Sequence, residues 1–305
     1  MCGILGGVFR RCLPGGESQV SGAFEAAART LEHRGPDDEG VAVVAEANGV
    51  LGFRRLSIID LATGHQPMST DDGQHIIFNG EIYNYREIRR GLEERGCRFR
   101  TASDTEVLLN SFALDGVRCL SRLYGMWGFA FLDVPRRRLS IARDRLGIKQ
   151  LYYALNDEGF FFASEPKALL KLPWVRAEFD EDQLTDYLTF RCVPSPNTLF
   201  RGIKKLAPGT ALELDLETWT SRIHQYWSPP AANPESMLSS QEAVSKVEEG
   251  LLESVRRRLV ADVPVGALLS GGLDSSLVVA AMRKLGHRDI RTFSATFPGY
   301  RHDES

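Results

Sequence analysis

The 305-residue chain is short of cysteine, of net charge and of long apolar runs, and each shortage excludes something. Its five cysteines, Cys2, Cys12, Cys97, Cys119 and Cys192, are odd in number and include no C-x-x-C pair. That argues against a disulfide framework and against a metal site of the zinc type. The formal net charge is only −3 and the pI is near 6.1. The basic excess that draws a protein to nucleic acid or to an anionic membrane is therefore missing. No stretch approaches the roughly 20 apolar residues of a membrane span. The opening MCGILGGVFRR sets its apolar run before the arginines, the reverse of a signal peptide. Together these absences predict a protein of the reducing cytoplasm, with no nucleic-acid and no membrane partner.

What is present is enough apolar material for real cores, 43% of residues, in a length that suggests about two domains. Strand-like runs dominate the first part: GILGGVF (3–9), VAVVA (41–45), LGFRRLSIID (51–60), HIIFNG (75–80), MWGFAFLD (126–133), RLSIARD (138–144), QLYYAL (150–155) and FFFAS (160–164). They are rich in β-branched and aromatic residues and are separated by Gly, Asp and Asn. Helical patterns intervene at 23–32, 85–94 and 104–114, so two sheets with helices fit better than an all-β sandwich.

A second composition follows Asp180. Residues 191–209 are proline-rich and read as a connector, and PPAANP (229–234) reads as a linker. Residues 241–260 then carry Val244, Val247, Leu251, Leu252, Val255 and Leu259 at helical spacing. After them come strand VGALLS, a Gly-Gly loop, helix LDSSLVVAAMRKLG and strand IRTFSATF, one βαβ unit. Such a unit leaves sheet edges and faces uncovered. The second domain is therefore expected to be cut short at Ser305.

Cys2 follows Met1 directly, and its side chain is small enough for the initiator to be removed. Thiol and α-amine would then share one residue, and the amine can act as base for its own nucleophile. With a pKa of about 7.7–8.0, on the order of a tenth of that amine is unprotonated at neutral pH, against well under a thousandth of a lysine. Gly3 removes bulk beside it. A bare Met-Cys start is equally the second residue of a first strand with an inert buried thiol.

The remaining motifs decide between these. MCGILGG, HRGPDDEG (33–40), RRLSIID (54–60), FNGEIYNY (78–85), SDTEVLL (103–109), GMWGFAF (125–131), RDRLGIKQLYY (143–153) and SEPKAL (164–169) occur in this order. Together they resemble the class II glutamine amidotransferase half of asparagine synthetases. SGGLDSS (270–276) resembles the pyrophosphate loop of that family's ATP-dependent half. The resemblance covers essentially the whole chain. It implies an α+β N-terminal-nucleophile fold, four-layer α-β-β-α with two stacked antiparallel sheets, followed by the start of an α/β ATP-pyrophosphatase domain with a parallel sheet. The implied bounds are 1–190 for the glutaminase domain, 191–239 for the connector and 240–305 for the incomplete synthetase domain.

The resemblance also assigns roles. Cys2 would attack the side-chain amide of glutamine. Asn79 and Gly80 match the oxyanion pair, the first through its side-chain amide, the second through its backbone N–H; an isolated Asn-Gly would instead read as a hairpin turn. Arg55 matches the arginine that pairs with the α-carboxylate of glutamine, for which its planar fork is suited. Alternation puts Arg54 on the other strand face, as a solvated charge. Glu81 and Asp104 match positions at the α-ammonium end, although Asp104 could also serve as a helix N-cap. Ile59 would contribute backbone contacts. HRGPDDEG would border the pocket with no catalytic role, and Gln150 stands where the family commonly has proline, with little consequence.

SGGLDSS follows an apolar strand and opens a helix, the setting in which Gly271 and Gly272 let backbone N–H groups approach phosphate. It is no Walker loop, since G-x-x-x-x-G-K-S/T does not occur. Ser270, Ser275 and Ser276 can donate hydroxyl bonds, Asp274 stands where it could assist magnesium, and Leu269 and Ala295 match positions lining the adenine site. A capped Gly-Gly turn would produce the same string. The activity implied for the full-length protein is glutamine-dependent asparagine synthesis: ammonia from glutamine, aspartate activated by ATP with Mg2+ as aspartyl-AMP, and no prosthetic group. A homodimer is compatible with the family. Two alternatives remain open here: a related amidotransferase acting on another carboxylate or a sugar, and a stand-alone glutamine-binding or glutaminase fragment. β-lactam-forming relatives usually lack the cysteine that this chain keeps.

Overall fold

The computed structural model describes residues 2–231, 238–297 and 299. Met1, part of the 229–234 linker and the chain end at Ser305 lie outside the described residues. The chain divides into two units, Met1–Ser228 and Pro229–Ser305.

The first unit carries, in chain order, β1 (Gly3–Phe9), α1 (Glu17–Arg29), β2 (Asp38–Val44), β3 (Gly49–Arg55), β4 (Met68–Ser69), β5 (Gln74–Ile82), α2 (Tyr85–Glu94), α3 (Asp104–Asp115), β6 (Gly125–Asp133), β7 (Arg138–Arg143), β8 (Tyr152–Leu155), β9 (Gly159–Ala163), α4 (Pro166–Leu170), α5 (Leu184–Phe190), β10 (Ile203–Lys205), β11 (Thr210–Asp215) and β12 (Ser221–Gln225). One six-stranded sheet runs β10-β8-β9-β1-β3-β2 and the other β12-β11-β7-β6-β5-β4. The pairings in both are antiparallel.

Period-two alternation explains the layering. On β1, Ile4 and Val8 point into one cluster with Leu51 and Phe53 of β3 and with Ile77, Ala130, Leu132 and Ile141 of the second sheet. The intervening Leu5 and Phe9 point the other way, into a cluster with Phe24, Ala27 and Ala28 of α1 and Leu169 of α4. On the outer face of the second sheet α3 packs over β5 and β6, with Phe112 edge-on to Phe129 at 5.3 Å. The order is helices, sheet, sheet, helices, so the expected four layers are present. β1 is buried along its whole length, which makes Gly3–Phe9 the spine of the first sheet.

Two departures from the sequence reading concern length. The 51–60 run ends as a strand at Arg55, because the following loop turns back on that arginine and Asp60 adopts φ 51°. Residues 203–225, which fell within the expected connector, form β10, β11 and β12, and these edge strands complete both sheets.

The second unit contains α6 (Ser240–Arg258), β13 (Gly266–Leu268), α7 (Leu273–Lys284) and β14 (Arg291–Phe293). Ser239 and Glu242 form a capping box at the start of α6. β13 and β14 pair in parallel, as a βαβ unit requires. Val255, Ala267, Ala281 and Met282 form a small core among the described residues. Leu268, Leu273, Phe293 and Phe297 remain largely exposed.

Candidate active site

All seven residues proposed from the sequence for the glutaminase chemistry, Cys2, Arg55, Ile59, Asn79, Gly80, Glu81 and Asp104, line one pocket of about 150 Å³. Each arrives from a different constraint. Cys2 precedes β1, beside the end of β3: its Sγ accepts from the Leu56 N–H at 3.4 Å and lies 3.6 Å from the Leu56 carbonyl. Its backbone carbonyl accepts from Arg34 Nε at 3.0 Å. Two residues further on, the Ile4 N–H donates to Ser164 Oγ at 3.0 Å and the Ile4 carbonyl accepts from Ser164 N–H at 2.8 Å. The nucleophile candidate is thus held through its own main chain. Burial pushes its thiol upward, against the Leu56 N–H and the charge of Arg55.

Alternation separates the two arginines of β3. Arg54 turns to Glu39 and Glu32 and is buried between its ion pairs rather than solvated as expected, while Arg55 enters the pocket. The Arg55 fork donates to the carbonyls of Ile59 at 3.1 Å and Asp60 at 2.5 Å. Ile59 therefore serves by its backbone, orienting the guanidinium rather than facing solvent. A Cβ at Gly64 would stand 2.9 Å from the Asp60 carbonyl oxygen and displace the Arg55 guanidinium that this carbonyl orients.

The Asn-Gly pair is no turn. Both residues lie within β5, opposite Gly128 and Trp127 of β6. Gly80 is forced by that neighbour: a Cβ would sit 2.2 Å from the Met126 carbonyl oxygen. Asn79 is buried, and both Oδ1 and Nδ2 of its side chain lack a hydrogen-bond partner. An unpaired buried amide ordinarily costs about 1–3 kcal/mol. Its retention on a pocket wall points to a partner that arrives with a ligand.

Ser103, not Asp104, caps α3, accepting from Thr105 N–H at 3.0 Å. Asp104 is thereby released for other work, and its carboxylate accepts from Ile82 N–H at 3.0 Å, tying the helix start to the end of β5. Burial, reinforced by the neighbouring charge of Glu81, pushes Asp104 up to about 7. Burial also raises Glu81, opposed by Lys149.

Residues that the sequence reading passed over complete the site. Lys149 lines the pocket, although the motif that contains it was recognised. Gln66 accepts from Phe78 N–H at 2.7 Å and donates to Thr105 Oγ1 at 3.2 Å, closing the wall between β5 and α3. Arg34, in the HRGPDDEG motif, and Glu165, in SEPKAL, pair at 2.7 Å behind Cys2.

In the second unit, Leu269, Ser270, Ser275 and Ala295 line a hollow of about 400 Å³, together with Leu268, Phe293, Ser294 and Phe297. Gly271, at φ 77°, turns the chain there, and Gly272 is the N-cap of α7. Ser276 donates to the Gly272 carbonyl at 2.8 Å, and Ser270 and Ser275 hydroxyls lie 3.2 Å apart. Gly271, Gly272, Asp274 and Ser276 form the loop and first helical turn without lining that hollow. No group of metal-ligating side chains occurs among the described residues, and no helix among them is long and apolar enough to cross a membrane.

Comparison with known proteins agrees with this division. Residues 1–227 match the glutamine amidotransferase domain family, and residues 246–305 match the asparagine synthase family. Asparagine synthetase 1 (glutamine-hydrolyzing) of Bacillus subtilis strain 168 is 36% identical over 301 residues, 97% of this chain and 46% of that protein. Asparagine synthetase 3 of the same organism is 36% identical over 306 residues, 97% and 48% of the two chains. The chain thus spans about half the length of these relatives. A solved structure of glutamine phosphoribosylpyrophosphate amidotransferase from B. subtilis, complexed with ADP and GMP, aligns with a TM-score of 0.52 at 17% identity, over 96% of this chain and 65% of the other. That likeness bears out the N-terminal-nucleophile fold. By its sequence match over residues 1–227, the chain belongs to the glutamine amidotransferase domain family.

Proposed function

We propose that the first unit hydrolyses glutamine with Cys2 as nucleophile and, within a longer protein, supplies ammonia to ATP-dependent asparagine synthesis. The unpaired Asn79 carboxamide, buried on the wall that Cys2 shares, is the observation that carries this reading. Removal of Met1 frees an α-amine on Cys2. That amine takes the thiol proton as sulfur attacks the δ-carbonyl of glutamine. Oxyanion charge develops toward Asn79 Nδ2 and the Gly80 N–H, where one donor is typically worth about 2.7–4 kcal/mol. The protonated amine returns its proton to the departing nitrogen, ammonia leaves, and a thioester remains. Water then cleaves the thioester to glutamate and restores the thiol. Arg55 holds the α-carboxylate, and Asp104 with Glu81 holds the α-ammonium.

The second unit supports ATP through SGGLDSS. Gly271, Gly272 and the start of α7 offer N–H groups to phosphate, Ser270, Ser275 and Ser276 add hydroxyls, and Leu269 and Ala295 flank the base. Magnesium would travel with the nucleotide, and Asp274 is the loop carboxylate that would help hold it. Aspartate activated as aspartyl-AMP would receive the ammonia, giving asparagine, AMP and pyrophosphate. The match of residues 246–305 to the asparagine synthase family favours aspartate over other acceptors. A homodimer and a cytoplasmic setting belong to the same proposal.

The test is glutamate release by the 305-residue chain, with and without Cys2→Ala, beside labelling with a glutamine-like diazoketone. Expected are loss of release in the variant and mass-spectrometric labelling of Cys2 in a chain lacking Met1. Release that survives Cys2→Ala, or a label on another cysteine, overturns the reading. In the full-length protein the same variant should lose glutamine-dependent synthesis and keep ammonia-dependent synthesis.

A further inference from the structure

Lys149 has no part in the scheme above, yet the chain goes to some length to aim it. It sits in the turn between β7 and β8, and that turn is pinned from two sides. The Asp144 carboxylate accepts from the backbone N–H groups of Trp127, Leu146, Ile148 and Lys149 at 2.9–3.2 Å. Arg143 donates to the carbonyls of Lys149, Leu206 and Gly147 at 2.6–2.8 Å and to Gln150 Oε1 at 2.8 Å. The Lys149 Cβ rests near Gly128 of β6, where a Cβ would stand 3.8 Å from it. The residue ends 4% exposed, on the wall of the Cys2 pocket. Lysine is almost never buried this far without a charge to answer.

The charges that the pocket must balance supply one. Arg55 and Lys149 are the cationic side chains among its described lining residues, and Glu81 and Asp104 the anionic ones. A glutamine zwitterion adds one charge of each sign: its carboxylate is answered by Arg55 and its ammonium by Asp104 with Glu81. Two carboxylates against one ammonium leave one negative charge over, in the pocket of a sulfur that must become anionic and an oxygen that must follow. Like charge within one small pocket disfavours both. Arg34 is committed to Glu165 and to the Cys2 carbonyl. Lys149 lines the pocket together with Glu81 and Cys2, and Glu81, Cys2, Arg34 and Asp144 are the charges acting on it.

We propose that Lys149 is a positioning residue of the Cys2 pocket, its ammonium balancing Glu81 so that the nucleophile works beside a neutral wall. The inference rests on the glutaminase reading, and it gives the RDRLGIKQ turn a purpose in the chemistry. Burial pushes the Lys149 ammonium below its ordinary value and the Glu81 carboxylate above its own, and each charge opposes the other's shift.

The experiment compares wild type, K149M, K149R and the K149M/E81Q double variant of the 305-residue chain, each with Met1 shown absent by mass spectrometry. Two readouts are taken: the pH midpoint of Cys2 alkylation by iodoacetamide without glutamine, and kcat/KM for glutamate release. K149M is expected to raise the alkylation midpoint by about one unit and to lower kcat/KM at least about tenfold. K149R, which keeps the charge, should return both most of the way. Adding E81Q to K149M should move the alkylation midpoint back toward wild type, because the uncompensated charge is gone. If K149M melts below the assay temperature, K149Q takes its place. An unmoved midpoint in the uncharged variant overturns the proposal, as does a K149R variant no better than K149M. Wild-type protein that alkylates at Cys2 but releases no glutamate would overturn the glutaminase reading instead, while the midpoints would still decide the role of Lys149.

Discussion

Arg34 Nη1 lies 2.7 Å from Glu165 Oε1, and the same guanidinium gives its Nε to the Cys2 carbonyl at 3.0 Å. Residues 131 positions apart thus meet behind the nucleophile. His33 Nε2 at 2.9 Å and Lys167 Nζ at 3.1 Å close on the same carboxylate. The bonds with Arg34, Lys167 and His33 outweigh burial and hold Glu165 down at about 2. Glu165→Gln should leave the arginine without its charged stop and loosen Cys2. A misplacement of an ångström can cost on the order of a hundredfold in rate. The expected result is a fall in kcat for glutamate release of about tenfold or more, with KM little changed. Stability gives a second measurement. The carboxylate is depressed in the folded state, so its contribution is present above the ordinary value of 4.5 and disappears as pH falls toward 2. Denaturation curves of wild type and variant should converge across that window.

Asn79→Ala should separate activity from stability. The variant loses the side-chain donor of the proposed oxyanion hole, for which kcat is expected to fall about 10²–10³-fold. It also removes a buried amide whose two polar atoms are unpaired, so the folded state gives up an unfavourable group at the same moment. The small cavity left behind opposes this gain. Thermal unfolding should therefore occur no more than a few degrees below wild type, about the shift of a 1 kcal/mol change. A large drop in melting temperature would assign Asn79 to the core rather than to the chemistry.

The elements that the sequence made legible are those whose signal is local. GILGGVF carried its own strand pattern, and Arg54 and Arg55 were separated by alternation alone. The site residues came as a set because their motifs surround the pocket from β1, β3, β5 and α3. What stayed hidden is long-range or weakly patterned. β10 has three residues and, among the described strands, pairs with β8 alone, so nothing in IKK announces a strand until the partner edge is known. Ser103 and Asp104 offer equivalent capping chemistry, and the Ile82 N–H, 22 positions away, draws Asp104 off the cap. Lys149 drew no assignment from its motif, because its burial depends on Asp144 and Arg143 folding the turn inward.

Gly80→Ala tests the close approach of β5 and β6. The added Cβ would meet the Met126 carbonyl oxygen at 2.2 Å, and Trp127 Cα at 2.8 Å, both backbone atoms that cannot swing aside. Overpacking of a tight interior typically costs about 1–3 kcal/mol. The strands must part, and with them the Gly80 N–H moves from its place near Cys2. Both melting temperature and glutamate release should fall well below wild type, in contrast to Asn79→Ala, where the large loss is in release. A variant with wild-type stability and activity would show that the strands yield without consequence.

Asp104 should set the pH dependence of glutamine binding. Its ordinary value is 3.8, and burial raises it to about 7 in the folded chain. Between those values the unfolded chain has released the proton and the folded chain still holds it. Fewer protons bound in the unfolded state make stability fall as pH rises through this window, and the penalty is complete above 7. Asp104→Asn should flatten that slope, which urea titrations from pH 4 to pH 8 would show. Glutamine reverses the balance, because an α-ammonium beside Asp104 favours the carboxylate. Binding below pH 7 should therefore expel a proton, and KM for glutamine should decrease as pH rises toward 7. Calorimetric titration in two buffers of different ionisation enthalpy counts that proton directly. Close to one proton released at pH 6 in wild type and none in Asp104→Asn is the expected outcome, whereas equal release by both would place the titrating group elsewhere, with Glu81 the next to test.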